Sequence, residues 1–153
     1  MYTFTHTIPV NPPGIRPTLS REQLWRGLVL RAEDPVAFVP GMESSEVLER
    51  FEHGLVREAV YRGQRIRERV TFNEPHTIQF QQVESDRPGA VTNTIGGSAP
   101  DLTLTFTFLL RFPGVPDDSD DERLRGEESR PKLIEAVEHT LGTVRTLAER
   151  DEL

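Results

Sequence analysis

The chain has 153 residues, no cysteine and a formal net charge of -7 at pH 7, so we expect one domain over residues 1–153 with a sizeable core. The negative charge argues against a nucleic-acid-binding surface, and the lack of cysteine excludes disulfides, thiolate nucleophiles and Cys-ligated metals while favouring a reducing, cytoplasmic location. No segment approaches the roughly 20 apolar residues that a membrane-spanning helix needs, so we expect no membrane span.

The sequence pattern of the N-terminal third predicts one strand followed by two short helices. Residues 2–10 alternate between apolar and polar, which is the period of two expected of a half-buried strand. Ser20 and Gln23 have the spacing of a capping box, so a helix is predicted to begin immediately after Ser20. Asp34 ends this helix because a residue before proline avoids helical geometry, and residues 36–38 fit a second short helical turn.

Six further segments are predicted to be strands of one antiparallel meander. Short breaks that contain Gly, Pro or Asn separate them, among them residues 62–63 and 87–89. The last strand alternates most strictly, which predicts a position central to the core. The predicted strands are residues 46–52, 55–61, 64–72, 77–83, 90–95 and 102–112.

Residues 131–150 predict one long amphipathic helix. Its apolar stripe at helical spacing comprises Ile134, Val137, Leu141, Val144 and Ala148. An acidic run at 117–122 precedes it and suits a solvated loop or a helix N-terminus. Because Gly126 and Pro131 disfavour a continuous helix, we expect a kink or a short separate turn before Pro131. A single curved sheet that closes over this helix would cover the apolar stripe.

The chain lacks the motifs of conventional catalytic and metal sites. It contains no HExxH, GxSxG or Walker motif. Asp117, Ser119 and Asp121 imitate part of a calcium loop, but Glu122 occupies the position where the sharp turn requires Gly. We therefore expect neither a metal nor a cofactor.

Polar residues interrupt the apolar strands on their inward faces. Alternation places Glu68 among core residues, where a carboxylate needs a partner. If Arg62 and Gly63 form a two-residue hairpin loop, Arg57 lies opposite Glu68 and the two form a buried ion pair. A three-residue loop would instead bring Glu58 opposite Glu68 and raise the pKa of one carboxyl group. We prefer the first register because it neutralises the charge and uses the commoner loop.

The order of one strand, two short helices, six antiparallel strands and one long helix resembles the START-like (SRPBCC) helix-grip superfamily. This superfamily includes pathogenesis-related class-10 proteins, aromatic polyketide cyclases and lipid-transfer domains. Five segments resemble its AtaL-like branch: residues 19–25 (LSREQLW), 38–40 (FVP), 54–58 (GLVRE), 68–70 (ERV) and 91–93 (VTN). The resemblance implies an α+β helix-grip fold, in which a seven-stranded curved antiparallel sheet wraps around the C-terminal helix and a hydrophobic pocket lies between them. It implies no particular reaction, because such folds host carriers, enzymes and regulators.

Two functions fit these predictions. In the first, a small hydrophobic molecule, lipid-like or aromatic, binds in an internal cavity of at least about 300 Å³, and inward polar groups orient it. In the second, the protein is an enzyme of the polyketide cyclase or dehydratase type, with Glu68 or a histidine as general acid or base. A purely structural role of each polar residue stays open beside both, and the oligomeric state is open. The polar members of the candidate site are His6, Arg57, Glu68, His76 and Asn93, and its apolar members are Trp25, Phe38, Ile66, Phe80, Val91, Phe106, Phe108, Val137 and Leu141.

Overall fold

A single antiparallel sheet forms the body of the molecule in the computed structural model, which describes residues 1–85 and 88–153. Its strands are β1 (Tyr2–Pro9), β2 (Met42–Phe51), β3 (Gly54–Tyr61), β4 (Gln64–Asn73), β5 (Thr77–Gln82), β6 (Ala90–Gly96) and β7 (Thr103–Leu110). The seven strands lie in the order β1-β7-β6-β5-β4-β3-β2. The predicted six-stranded meander and seven-stranded sheet are confirmed, with β1 added beside β7, while the predicted break at 87–89 lies partly outside the described residues.

Two helical segments connect β1 to β2, as predicted. Helix α1 (Arg21–Glu33) is followed by a one-turn 3₁₀ helix (Pro35–Ala37). The predicted capping box is present: the Gln23 backbone N–H donates to the Ser20 hydroxyl at 3.1 Å, and the Ser20 N–H donates to the Gln23 side chain at 3.0 Å. These bonds satisfy two N–H groups that the first helical turn leaves without partners.

Helix α2 (Asp120–Glu149) begins earlier than the sequence predicts and has 30 residues. The Ser119 hydroxyl accepts a hydrogen bond from the Glu122 N–H at 3.1 Å, and the acidic first turn interacts favourably with the helix dipole. In the part of the chain that the structure describes, no helix is long and apolar enough to cross a membrane.

The predicted interruption before Pro131 is wrong, because α2 continues through Gly126 and Pro131. Gly126 is buried, and a Cβ placed on it would lie 2.3 Å from the ring of Tyr2. This glycine therefore permits a close contact with β1 instead of ending the helix. Pro131 is exposed, so water can bond to the carbonyl that its missing N–H leaves free.

The concave face of the sheet and the two helices share one hydrophobic core. Val137, Leu141 and Val144 of α2 are buried in it, which confirms the predicted apolar stripe. The helices α1 and α2 approach closely at Gly27, where an added Cβ would lie 2.7 Å from a methyl carbon of Val144. Core side chains of the strands include Phe4, Leu55, Val70, Ile78, Phe80, Leu104 and Phe106.

The hairpin between β3 and β4 has the preferred register. Arg62 and Gly63 form its two-residue loop with φ values of 48° and 80°, and positive φ at both positions is typical of the type I′ turn that matches strand twist. Arg57 consequently pairs with Glu68, and the alternative register is excluded. Glu58 pairs with Arg67 instead.

Candidate functional site

The ion pair between Arg57 and Glu68 lies on the concave face. Arg57 Nη2 and Nε donate to the same carboxylate oxygen of Glu68 at 2.8 and 3.2 Å. The side chains are 4% and 15% exposed, respectively. A charged pair in this setting is stable only when its hydrogen bonds are made, because both groups have lost most of their hydration.

Arg57 also links the hairpin to helix α1. Its Nη1 donates to the backbone carbonyls of Ala32 at 2.8 Å and Arg31 at 3.3 Å. These carbonyls belong to the last turn of α1, where helical carbonyls lack partners within the helix. Arg57 therefore caps α1 with a positive charge, the sign that a helix C-terminus favours.

Arg31 adds a second buried guanidinium that sequence analysis missed. Its Nη1 donates to Asn93 Oδ1 at 3.3 Å. Its guanidinium carbon lies 5.3 Å from the ring centre of Phe80 and 5.1 Å from that of Phe106. The available signal was helical spacing, since Arg31 follows the buried Leu28 by three residues on the same face of α1.

Two donors of this cluster are buried without a hydrogen-bond partner among the described residues. They are Arg31 Nε and Asn93 Nδ2. Asn93 is fully buried, and its oxygen must face Arg31 because the guanidinium can only donate. Native interiors leave few such groups unsatisfied.

Burial lowers the pKa of Arg31 from its usual value to about 10. The positive charge of Arg57 lowers it further, and Glu68 acts in the opposite direction. Arg31 therefore stays protonated at neutral pH, and the cluster combines two guanidinium groups with one carboxylate.

His6 lies on the same face of the sheet, toward the β1 edge. It pairs across β1 and β7 with Phe106, which pairs in turn with Asn93. Strands are separated by about 4.8 Å, so His6 is roughly 10 Å from Asn93 along this row. Its ring stacks on Phe4 with centres 6.2 Å apart, and its Nε2 is buried without a partner in the described part of the chain.

His76 does not face the interior, so the position predicted for it is wrong. It is exposed and lies immediately before β5, 3.4 Å from an Arg21 nitrogen through its Nδ1. The alternation used to place it begins only at Thr77, the first residue of the strand. Period-two reasoning does not extend into a turn.

The remaining predicted site residues are mostly buried. Trp25 packs edge-on against Phe72 with ring centres 6.4 Å apart, and it also lines a separate groove of about 350 Å³ with Val29 and Leu30. Ile66 and Val91 are partly buried. Phe38, Phe80, Phe106, Phe108, Val137 and Leu141 belong to the core.

A pocket opens beside the ion pair. It has a volume of about 90 Å³, and its lining includes Glu68, Gln82, Val91, Leu110 and Arg111. This volume is smaller than the predicted cavity, so a space of about 300 Å³ between sheet and α2 stays a prediction. Within residues 1–85 and 88–153, no group of three or more His, Asp or Glu side chains is placed to hold a metal ion.

The arrangement is suited to binding hydrogen-bond acceptors. Guanidinium and amide N–H groups donate and do not accept, and the surrounding phenylalanine rings exclude water. In a medium of low effective dielectric constant, such donors interact strongly with an acceptor that reaches them.

Comparison with known protein families identifies the chain. Residues 4–151 match the model of the family described as AtaL, acetylaranotin biosynthesis cluster protein L. The chain belongs to the AtaL family. This confirms the resemblance stated from the sequence, and the match covers the whole fold except the first two residues of β1. No curated protein matches the chain.

Several solved structures share the fold of the AtaL-family chain. The di-domain aromatase/cyclase StfQ of the steffimycin biosynthetic pathway superposes with a TM-score of 0.70 at 12% identity, covering 97% of this chain and 51% of StfQ. The Zhui aromatase/cyclase of a Streptomyces species has a TM-score of 0.66 at 17% identity, with 96% and 95% of the two chains covered. A START superfamily protein of Mycobacterium smegmatis gives 0.65 at 17% identity, with 95% and 98% covered. The AtaL-family chain thus spans about half the length of the di-domain protein, and these likenesses show a shared helix-grip fold.

Proposed function

We propose that residues 1–153 form a single START-like domain that binds a small hydrophobic molecule between the concave face of the sheet and helix α2. The observation that carries this proposal is the convergence of Arg31, Arg57, Glu68 and Asn93 from four different elements on one aromatic patch. Ligand sites combine an apolar lining with a few convergent polar groups. If these residues served stability alone, apolar replacements of the charged members would raise the free energy of unfolding.

The pocket beside Glu68 supports a route from the surface to this patch. Val91 lines the pocket and lies two residues from Asn93 on β6. Residues two apart on a strand face the same side, so the pocket adjoins the row that holds the buried amide. Its volume suits the polar end of a ligand, and the apolar remainder would occupy space between the sheet and α2.

The solved structures support the same class of ligand. Two of them are named as aromatase/cyclases and one as a START superfamily protein. We extend this to an apolar or polyketide-like ligand, because flat apolar molecules complement the phenylalanine-rich concave face.

A second candidate function is a polyketide cyclase- or dehydratase-like enzyme. His6 favours it, because its Nε2 is buried on the concave face without a partner among the described residues. An imidazole in this position can transfer a proton to or from a bound ligand. Glu68 suits this role less well, because one of its carboxylate oxygens already accepts two hydrogen bonds from Arg57.

Binding can be tested with phenylnaphthylamine, a neutral aromatic probe whose fluorescence increases in apolar surroundings. We expect saturable binding and a one-to-one complex in native mass spectrometry that is lost on denaturation. Val91→Trp fills the pocket and should weaken binding at least tenfold. Val36→Trp, at an exposed position, is the matched control and should bind like the wild type. Equal binding by both variants would contradict an internal site.

The enzymatic alternative has a separate test. His6→Gln should abolish cyclisation of an aryl poly-β-ketone while leaving the affinity for that compound nearly unchanged. If the wild-type protein binds the poly-β-ketone without converting it, the enzymatic candidate is wrong and the binding function stands.

A further inference from the structure

We propose, building on the binding function above, that the interior selects an anionic ligand, an aromatic or enolic acid whose deprotonated oxygen atoms accept hydrogen bonds from Arg31 Nε and Asn93 Nδ2. The ligand thereby completes a polar cluster that the described part of the chain leaves unfinished. Neither the AtaL family model nor the shared fold assigns this site.

Two buried N–H donors of the cluster are not used by the described residues. Arg31 Nε and Asn93 Nδ2 are both buried without a partner among the described residues. Arg31 is 9% exposed and Asn93 is 0% exposed, so bulk water does not solvate them. A hydrogen bond of 3.3 Å from Arg31 Nη1 to Asn93 Oδ1 joins the two side chains, so the two free donors belong to neighbouring groups. Because both groups donate, the complementary ligand group must accept.

The net charge of the cluster favours a negatively charged ligand. Glu68 accepts two hydrogen bonds from Arg57, while Arg31 donates to the neutral amide of Asn93. The cluster therefore retains one positive charge beyond its carboxylate. A buried charge is costly unless an opposite charge accompanies it, and an anionic ligand supplies that charge.

The aromatic rings beside the two guanidinium groups indicate the shape of the ligand. The guanidinium of Arg31 lies against Phe80 and Phe106, and that of Arg57 lies 4.9 Å from the centre of the Phe80 ring. Phenylalanine faces and guanidinium planes favour flat π-systems. A planar acid thus matches both the charge and the aromatic walls.

Naphthoate and naphthamide form a matched pair of probes, because they have the same shape and differ in charge at neutral pH. Isothermal titration calorimetry should give a dissociation constant for naphthoate at least tenfold lower than for naphthamide. Naphthoate should also shift the ¹⁵N resonance of Arg31 Nε, which reports directly on the proposed contact. In Arg31→Met the preference for naphthoate over naphthamide should disappear. Arg26→Met, on the same helix but exposed and paired with Glu22, is the control and should retain the preference.

Equal affinities of the two probes in the wild-type protein would overturn the selection of an anion and leave the binding function intact. A preference for naphthoate that survives in Arg31→Met would overturn the assignment to Arg31. Failure of the folded wild-type protein to bind either probe would overturn the proposed function itself, and with it this inference.

Discussion

Arg57 and Glu68 lie directly opposite each other on β3 and β4, and two nitrogens of the guanidinium share one carboxylate oxygen at 2.8 and 3.2 Å. The same guanidinium holds the last turn of α1 through two backbone carbonyls. The pair therefore joins the hairpin to the helix, and its removal affects both elements.

The ion pair gives the first prediction. Glu68→Gln leaves two guanidinium groups in the interior without a carboxylate, so the free energy of unfolding should fall by about 3 kcal/mol. Urea denaturation of Glu68→Gln, Arg57→Leu and the double mutant should give a coupling energy of at least about 1 kcal/mol. Glu58→Gln, which breaks the solvent-facing Glu58–Arg67 contact of the same hairpin, is the control and should have a much smaller effect. Coupling near zero would contradict a structural ion pair.

Arg31 gives a second prediction, with a defined dependence on pH. Arg31→Met removes a desolvated charge and should raise the free energy of unfolding by about 1–2 kcal/mol at pH 7. Because burial lowers the folded-state pKa of Arg31 to about 10, the unfolded chain retains the proton at higher pH than the folded protein does. Wild-type stability should therefore rise relative to the variant above pH 10. Denaturant unfolding at pH 7 and at alkaline pH measures the difference in free energy of unfolding between Arg31→Met and the wild type. A stabilisation by Arg31→Met that grew with pH would contradict this account.

The contact between the two helices gives a third prediction. Gly27→Ala should lower the free energy of unfolding by about 1–3 kcal/mol, because the new methyl group overlaps Val144. Combining it with Val144→Ala should relieve the overlap. Gly142→Ala is the control, since nothing lies within 4 Å of a Cβ there, and it should stabilise α2 by about 0.5–1 kcal/mol. If Gly27→Ala also stabilised the protein in thermal melts, the described approach of the helices would be wrong.

Features governed by local rules could be predicted from the sequence. The β3–β4 register followed from the two-residue loop at Arg62 and Gly63, because loop length determines which residues pair. The capping box at Ser20 followed from spacing alone. Alternation correctly placed Glu68 and Asn93 on the concave face, since strand side chains alternate between the two faces.

Features that depend on contacts between residues far apart in the sequence could not be predicted in this way. The sequence predicts a helix interruption at Gly126 because the partner of this glycine, the ring of Tyr2, lies far away in the sequence. Arg31 was overlooked because a charged side chain on a helix is usually exposed, and the aromatic rings around it come from β5 and β7. The inward position predicted for His76 is wrong because the alternation of a strand does not continue beyond its first residue, Thr77.

The central claim, that a small molecule binds between the sheet and α2, is tested most directly by methyl NMR of the ¹³C-labelled protein titrated with naphthoate. The methyl signals of Val91, Val137 and Leu141 should shift together and saturate at one equivalent, while those of the exposed Leu48 and Leu124 should not move. Shifts confined to Leu48, Leu124 or the groove residues Val29 and Leu30, with the inward methyl groups unmoved, would contradict the account.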